Sequence, residues 1–177
     1  MPHIHTERGQ HDLTASAFIV RLDTPEPTLF LHRHKKLGTF LEFGGHVELD
    51  QTPWQAVVDE VEAESGYTPE QLKVLQPEAV LTKLTGVVLH PYPLCVMTHA
   101  FDDTHFHTDI EYLLVASSPP SKPVGEGEST DLRAFTQAEL MALDPSEVPE
   151  NIREMAAFIF TVCLSEWATT DLARFAR

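Results

Sequence analysis

The chain has 177 residues, 42% of them apolar, two cysteines and a formal net charge of −15. A chain of this length reads as one domain, 1–177, able to bury about two-thirds of its unfolded surface. No apolar run is long enough to span a bilayer, and the acid excess argues against a nucleic-acid duplex or an anionic membrane as partner, since either would need a basic face.

In chain order, the opening residues form an N-terminal extension (1–12) that lacks the basic and apolar regions of a signal peptide. Its histidines, His3, His5 and His11, read more readily as a flexible terminus than as a metal site. The apolar, β-branched run over 13–22 predicts a strand, 23–27 a turn, and 28–32 a second strand that closes a hairpin. A basic loop follows, His32-Arg33-His34-Lys35-Lys36, holding three of the twelve Lys and Arg residues. Residues 38–43 then lead into a glycine pair.

The stretch from Gly44 to Tyr67 organises the rest. Thr52 with Gln55 three residues on makes a capping box, Pro53 falls at the first helical position, and Gly66 is placed to end the helix in the left-handed conformation. A helix over Pro53–Ser65 follows. Glu60 and Glu64 are four apart, so they share one face of it. Two carboxylates one turn apart repel unless a cation lies between them, and a hard divalent ion such as Mg²⁺ takes oxygen ligands of this kind. Taken alone, the pair reads more readily as a solvated face of an acidic protein.

Beyond the helix, 71–75 reads as a strand. Residues 77–93 read as an irregular strand or a helical turn before a strand. Residues 94–101 and 108–116 read as long strands joined by a tight connection. His105, His107 and Asp109 alternate, so on a strand they project to one face. They suit a polar strand face, contact with a substrate phosphate, or a transition metal. A Ser-, Pro- and Gly-rich loop spans 117–129 and carries Glu126 and Glu128. Residues 131–135 read as a short strand. Thr136 and Glu139 form a second capping box, and 149–167 shows helical spacing of apolar residues, giving C-terminal helices over 147–177. Cys95 and Cys163 are far apart and read as reduced thiols of a cytoplasmic protein.

The segment from Gly45 to Tyr67 resembles the signature box of the Nudix hydrolase family. The match holds at Gly45, Glu60, Val61, Glu64 and Gly66, with Tyr67 in the closing apolar slot. It departs at Gln51, Asp59 and Ala63, where the family has glutamate, arginine and glutamate. The loop glutamate and the arginine pair with each other in the family, so their joint loss is coherent, and Gln51 could hydrogen-bond Asp59 in their place. Asp59, one helical step from Glu60, could also supply the charge that Ala63 removes. The strand order before the box fits the same resemblance.

The resemblance implies a Nudix-like α/β/α sandwich with a mixed, partly barrel-like sheet. It implies Mg²⁺- or Mn²⁺-dependent hydrolysis of a nucleoside diphosphate linked to another moiety, or of a related pyrophosphate. Glu60, Glu64 and Glu128 would be catalytic, Gly45, Glu60 and Glu64 would hold the metal, and Arg33, Lys35, Lys36, His105 and His107 would contact a small-molecule diphosphate. Homodimers are common in the family. The alternative is a catalytically impaired Nudix-fold protein that binds a nucleotide as a sensor. A diphosphate isomerase would want an active-site cysteine, which neither Cys95 nor Cys163 offers convincingly.

Overall fold

The computed structural model describes residues 4, 5 and 7–175; His3 lies outside the described residues. Two strands of equal length form its spine. β1 (His11–Arg21) and β7 (Phe106–Ala116) run parallel along their whole length, from His11 beside Phe106 to Arg21 beside Ala116. β2 (Thr28–Arg33) closes the expected hairpin on the C-terminal half of β1, while β3 (Phe40–Leu41) pairs with β2 and β4 (Phe43–His46) with the N-terminal half of β1. On the other side, β5 (Leu72–Pro77) pairs with the end of β7 and β6 (Cys95–Ala100) with its beginning. β8 (Leu132–Phe135) joins β2, and β9 (Trp167–Asp171) joins β5.

The sheet is mixed, as the sequence implied, but its main path runs β3-β2-β1-β7-β5-β9 and stays open, so it does not close into a barrel. Side-chain alternation makes the two layers. Ala15, Ala17 and Ile19 of β1 and Tyr112 and Leu114 of β7 face the helix α1 (Pro53–Ser65), against its buried Trp54, Val57, Val58 and Val61. Phe18 and Val20 of β1 and Leu113 and Val115 of β7 face the other way. They pack with Leu140 of α2 (Gln137–Ala142) and with Ile152 and Ala156 of α3 (Glu150–Phe158). Toward the N-terminal ends of β1 and β7 this second face changes character: Asp12, Ser16, His107, Asp109 and Glu111 are all buried there.

Three expectations are corrected. Residues 78–94 contain no strand or helix; the prolines at 77, 91 and 93 remove ladder donors. The long C-terminal helix expected over 149–167 widens into a π-turn at Ile159–Cys163 and ends at Glu166. The chain beyond it is strand β9 rather than helix. The free edge of β5 and the Thr169-Thr170 pair decide this, since β-branched residues fit a pleated edge better than a frayed helix end. Among the described residues no helix is long and apolar enough to cross a membrane.

Candidate active site

Helix α1 forms for local reasons and is then aimed by its ends. The Thr52 hydroxyl accepts from the Gln55 N–H at 3.2 Å, and the Gln55 side chain accepts from the Thr52 N–H at 2.8 Å, completing the capping box. Gly66 ends the helix at φ 73°, and a Cβ there would lie 2.2 Å from the Lys122 carbonyl oxygen, so glycine is required twice over. The loop before the helix is braced as the sequence suggested: Gln51 Nε2 donates to Asp59 Oδ2 at 3.2 Å. Asp59 is exposed and engaged with this brace.

Glu64 and Glu60 point from α1 toward the glycine pair of β4. Glu64 is buried, and its Oε2 accepts from the Gly44 N–H at 3.0 Å. Gly45 faces Glu60 so closely that an added Cβ would lie 2.8 Å from Glu60 Oε1. A third carboxylate comes from the 117–129 loop, which is stitched to the end of α1. Lys122 N–H donates to Gly66 O at 3.0 Å, Gly125 N–H to Ala63 O at 2.7 Å, and Lys122 Nζ to Glu62 at 2.6 Å. Gly125 packs over Ala63, with only 3.7 Å between its virtual Cβ and the Ala63 methyl, and over the Glu128 side chain. The small residue at 63 therefore admits the loop that delivers Glu128.

The charges of these groups are felt. Burial pushes the Glu60 carboxyl up, and Glu128 pushes it further by repulsion. Burial pushes Glu64 up to about 8, with repulsion from Glu60, Glu128 and Glu42 adding to it and the Gly44 N–H opposing. His32 Nδ1 is 3.8 Å from Glu64 Oε1, but burial lowers His32 to about 4, so a neutral ring faces the carboxyl at pH 7. Two carboxylates thus meet the glycine backbone, with a third near enough for its charge to be felt at both. That donor set fits a hard divalent cation such as Mg²⁺ or Mn²⁺.

The basic loop does different work. Arg33 donates to Asp131 at 3.0 Å, to Glu147 at 2.9 Å and to the Gly38 carbonyl at 2.7 Å, with its guanidinium 4.3 Å from the centre of the Phe40 ring. Those donors tie β2 to the chain just before β8 and α3. Lys35 Nζ donates to the Gly127 carbonyl and so anchors the residue next to Glu128. Lys36 stays exposed beside it.

His105 and His107 are also redirected. Both are buried, and they converge on Asp12 rather than on the carboxylates of α1. Asp109 shares that face, as expected, and meets Ser16, whose hydroxyl donates to it and also reaches Glu111 at 3.2 Å. Sequence reading missed Asp12, Glu42 and Glu111. Asp12 and Glu111 lie on β1 and β7, and only the parallel register brings Asp12 beside His107 and Ser16 beside Glu111. Burial and the nearby Asp109 raise Glu42 to about 7.

A family model described as "NUDIX domain" matches residues 12–158. No match was found among curated proteins. A solved NUDIX-family hydrolase from Clostridium perfringens superposes with a TM-score of 0.68 at 28% identity, over 82% of this chain and 93% of that one. A C. elegans Ap4A hydrolase in a binary complex superposes with a TM-score of 0.61 at 15% identity, over 86% of this chain and 98% of that one. The NUDIX domain of Shewanella oneidensis NrtR, complexed with ADP ribose, gives 0.60 at 14% identity, over 86% and 90%. The last two likenesses show the fold.

Proposed function

Because this chain belongs to the Nudix family, we propose that it is a metal-dependent Nudix hydrolase of a nucleoside diphosphate linked to another moiety, or of a related pyrophosphate. The observation that carries the reading is that Glu60 and Glu64 meet the Gly44-Gly45 backbone while Glu128 lies near enough for its charge to raise both, with Glu64 pushed up to about 8 by burial and by its neighbours. Glu60 and Glu64 would hold the cation, with a carbonyl of Gly44 or Gly45. A bound divalent cation would offset the charge of phosphate oxygens and make a coordinated water more acidic.

The chain's own residues set the rest. The Gly44 N–H fixes the orientation of the Glu64 carboxyl. Gly45 leaves room for Glu60. Glu128, half-buried on a loop that three hydrogen bonds fasten to the end of α1, would take the proton of an attacking water at its carboxylate. Lys35 holds that loop from the other side, and the exposed Lys36 offers a positive charge to an anionic substrate entering an acidic protein. Ala63 is the departure that most threatens catalysis in the signature. Here the space above it is taken by the Gly125 turn that brings Glu128, which supports a working site over an empty one.

The second reading is a nucleotide-binding or sensor protein without turnover, favoured by the exposed Gln51–Asp59 hydrogen bond standing in place of an ion pair. One experiment separates them: phosphate and nucleotide release from nucleoside triphosphates, ADP-ribose, sugar nucleotides and dinucleoside polyphosphates, with Mg²⁺ and with Mn²⁺, beside Glu64→Gln. Turnover that requires metal and collapses in the variant supports the hydrolase. Metal-independent silence on every compound, together with binding of one of them, supports the sensor.

A further inference from the structure

On the face of the sheet turned away from α1, Asp12, His105 and His107 each offer a ligand atom, and these atoms all lie within 4.8 Å of one another. We propose that they bind a divalent transition metal of the Zn²⁺ class, at a site separate from the carboxylates of α1 and independent of whether those carboxylates turn over substrate.

The fold builds this cluster. The parallel register sets Asp12 of β1 directly beside His107 of β7, and period-two alternation brings His105 to the same face. His105 is fixed by the turn before it, where Asp102 Oδ1 accepts from the His105 N–H at 2.9 Å and from the Thr104 N–H at 2.7 Å. Asp12 has no exposed surface, and His105 and His107 are 6% and 9% exposed. The Asp12 carboxylate is oriented by the backbone N–H groups of Ile4 at 3.2 Å and His5 at 2.8 Å, with His5 Nδ1 at 2.9 Å. Such outer partners aim a ligating carboxylate and raise metal affinity.

The surroundings repeat the chemistry. His46 Nε2 is 3.3 Å from Asp12 Oδ2, and the rings of His46 and His99 lie 5.0 and 5.4 Å from the His107 ring, so a third imidazole, as fourth ligand, is at hand from either neighbouring strand. Phe101 stacks on His107 at 4.9 Å and walls the cluster. Two imidazoles and a carboxylate, with further imidazoles close by, suit a borderline cation of the Zn²⁺, Co²⁺ or Fe²⁺ kind, whereas Mg²⁺ prefers the all-oxygen set on α1. Strand alternation on β4 keeps the two apart: Gly45 faces Glu60, while His46 pairs with Thr14 and faces Asp12. A metal here would pin the starts of β1 and β7 together and hold the 4–5 segment against them.

The test uses the whole chain, stripped with chelator and titrated with Zn²⁺ and with Co²⁺. The background is Glu60→Gln/Glu64→Gln, so that the α1 carboxylates contribute no strong site. The expected result is one equivalent of Zn²⁺ bound, a rise in melting temperature on binding, and visible Co²⁺ absorption of nitrogen–oxygen coordination. His107→Gln and His105→Gln, each added to that background, should weaken binding by at least about tenfold and remove the thermal shift. Circular dichroism selects the variants that remain folded, and Asp12→Asn provides a third. A background protein that binds no Zn²⁺ overturns the proposal. So does binding that survives both histidine substitutions, or a cluster whose melting temperature is the same with and without Zn²⁺, which would mark it as a hydrogen-bonded network of imidazoles around a buried carboxylate.

Discussion

Gly45 and His46 are neighbours in sequence, yet they serve two clusters of opposite chemistry. On the α1 side, Glu60, Glu64 and Glu128 face one another with a neutral His32 beside them, and burial plus repulsion drives Glu64 up to about 8. On the far side, the fully buried Asp12 is met by His5, His46 and His105 and by two backbone N–H groups. The first cluster is strained by like charge; the second offsets a lone carboxylate with imidazoles. One strand four residues long, with its glycines, thereby divides a carboxylate cluster from a nitrogen-rich one.

The comparison breaks most sharply at the α1 carboxylates. Glu64→Gln and Glu60→Gln should each lower Mg²⁺-dependent turnover by about a hundredfold or more, the scale of losing a preplaced electrostatic group at the reacting centre. Steady-state rates on the diphosphate panel check this, and the Asp12 cluster should keep its Zn²⁺ in both variants. Glu128→Gln should cost less, about tenfold, because its carboxylate arrives on a loop and is only half-buried. An unchanged rate in Glu128→Gln would remove it from the site.

Gly45→Ala tests the backbone cradle. A methyl there would sit 2.8 Å from Glu60 Oε1, so Glu60 has to swing away. Turnover should fall about tenfold, with weaker Mg²⁺ binding measured by titration, from a displacement of about an ångström at the reacting centre.

The third test is pH. Glu64 has a folded value of about 8 against an ordinary 4.5, so its contribution to stability is present below pH 4.5 and lost as pH rises toward 8. His32 runs the other way: lowered from 6.5 to about 4, it favours the fold above pH 6.5 and loses that contribution as pH falls toward 4. As pH rises above 6.5 toward 8, the His32 contribution is nearly complete and levels off, so the falling slope there belongs to the buried carboxyls, Glu64 with Glu42 and Glu111. Metal-free protein should therefore lose on the order of 2 kcal/mol from Glu64 across that window. Glu64→Gln should flatten the slope in denaturant melts. Saturating Mg²⁺ should reverse it, because the ion binds the ionised carboxyls.

How much of this was legible before the fold was known depends on sequence distance. Helix α1, its caps and the Glu60–Glu64 pair are local, and spacing alone gives them; the Gln51–Asp59 bond was reached through the family pattern. Glu128 is sixty-four residues from Glu64 and was reached through the family pattern. Asp12 was invisible because a lone acid before an apolar run carries no signal until β7 lies beside it. The ion pairs of Arg33 were hidden for the complementary reason: its partners Asp131 and Glu147 lie far along the chain. Strand β9 was read as helix because its pairing edge on β5 is equally remote.

The smallest expected effect decides a specific point, whether Asp59 supplies the charge that Ala63 lacks. Asp59 is exposed and accepts from Gln51 Nε2 at 3.2 Å. Asp59→Asn keeps an amide oxygen that can accept that bond and removes only the charge. Asp59→Ala removes both. If Asp59 is a brace alone, Asp59→Asn should leave Mg²⁺ affinity within about twofold and stability unchanged, while Asp59→Ala should cost about 0.5–1 kcal/mol, the net worth of one neutral or charge-assisted hydrogen bond at an exposed position. If Asp59 serves the metal, the order inverts: Asp59→Asn alone would weaken Mg²⁺ binding several-fold. The burial of Glu64 and the approach of the Glu128 loop over Ala63 favour the brace, since they place the three other carboxylates on the inner side of α1 and leave Asp59 facing the loop that it holds.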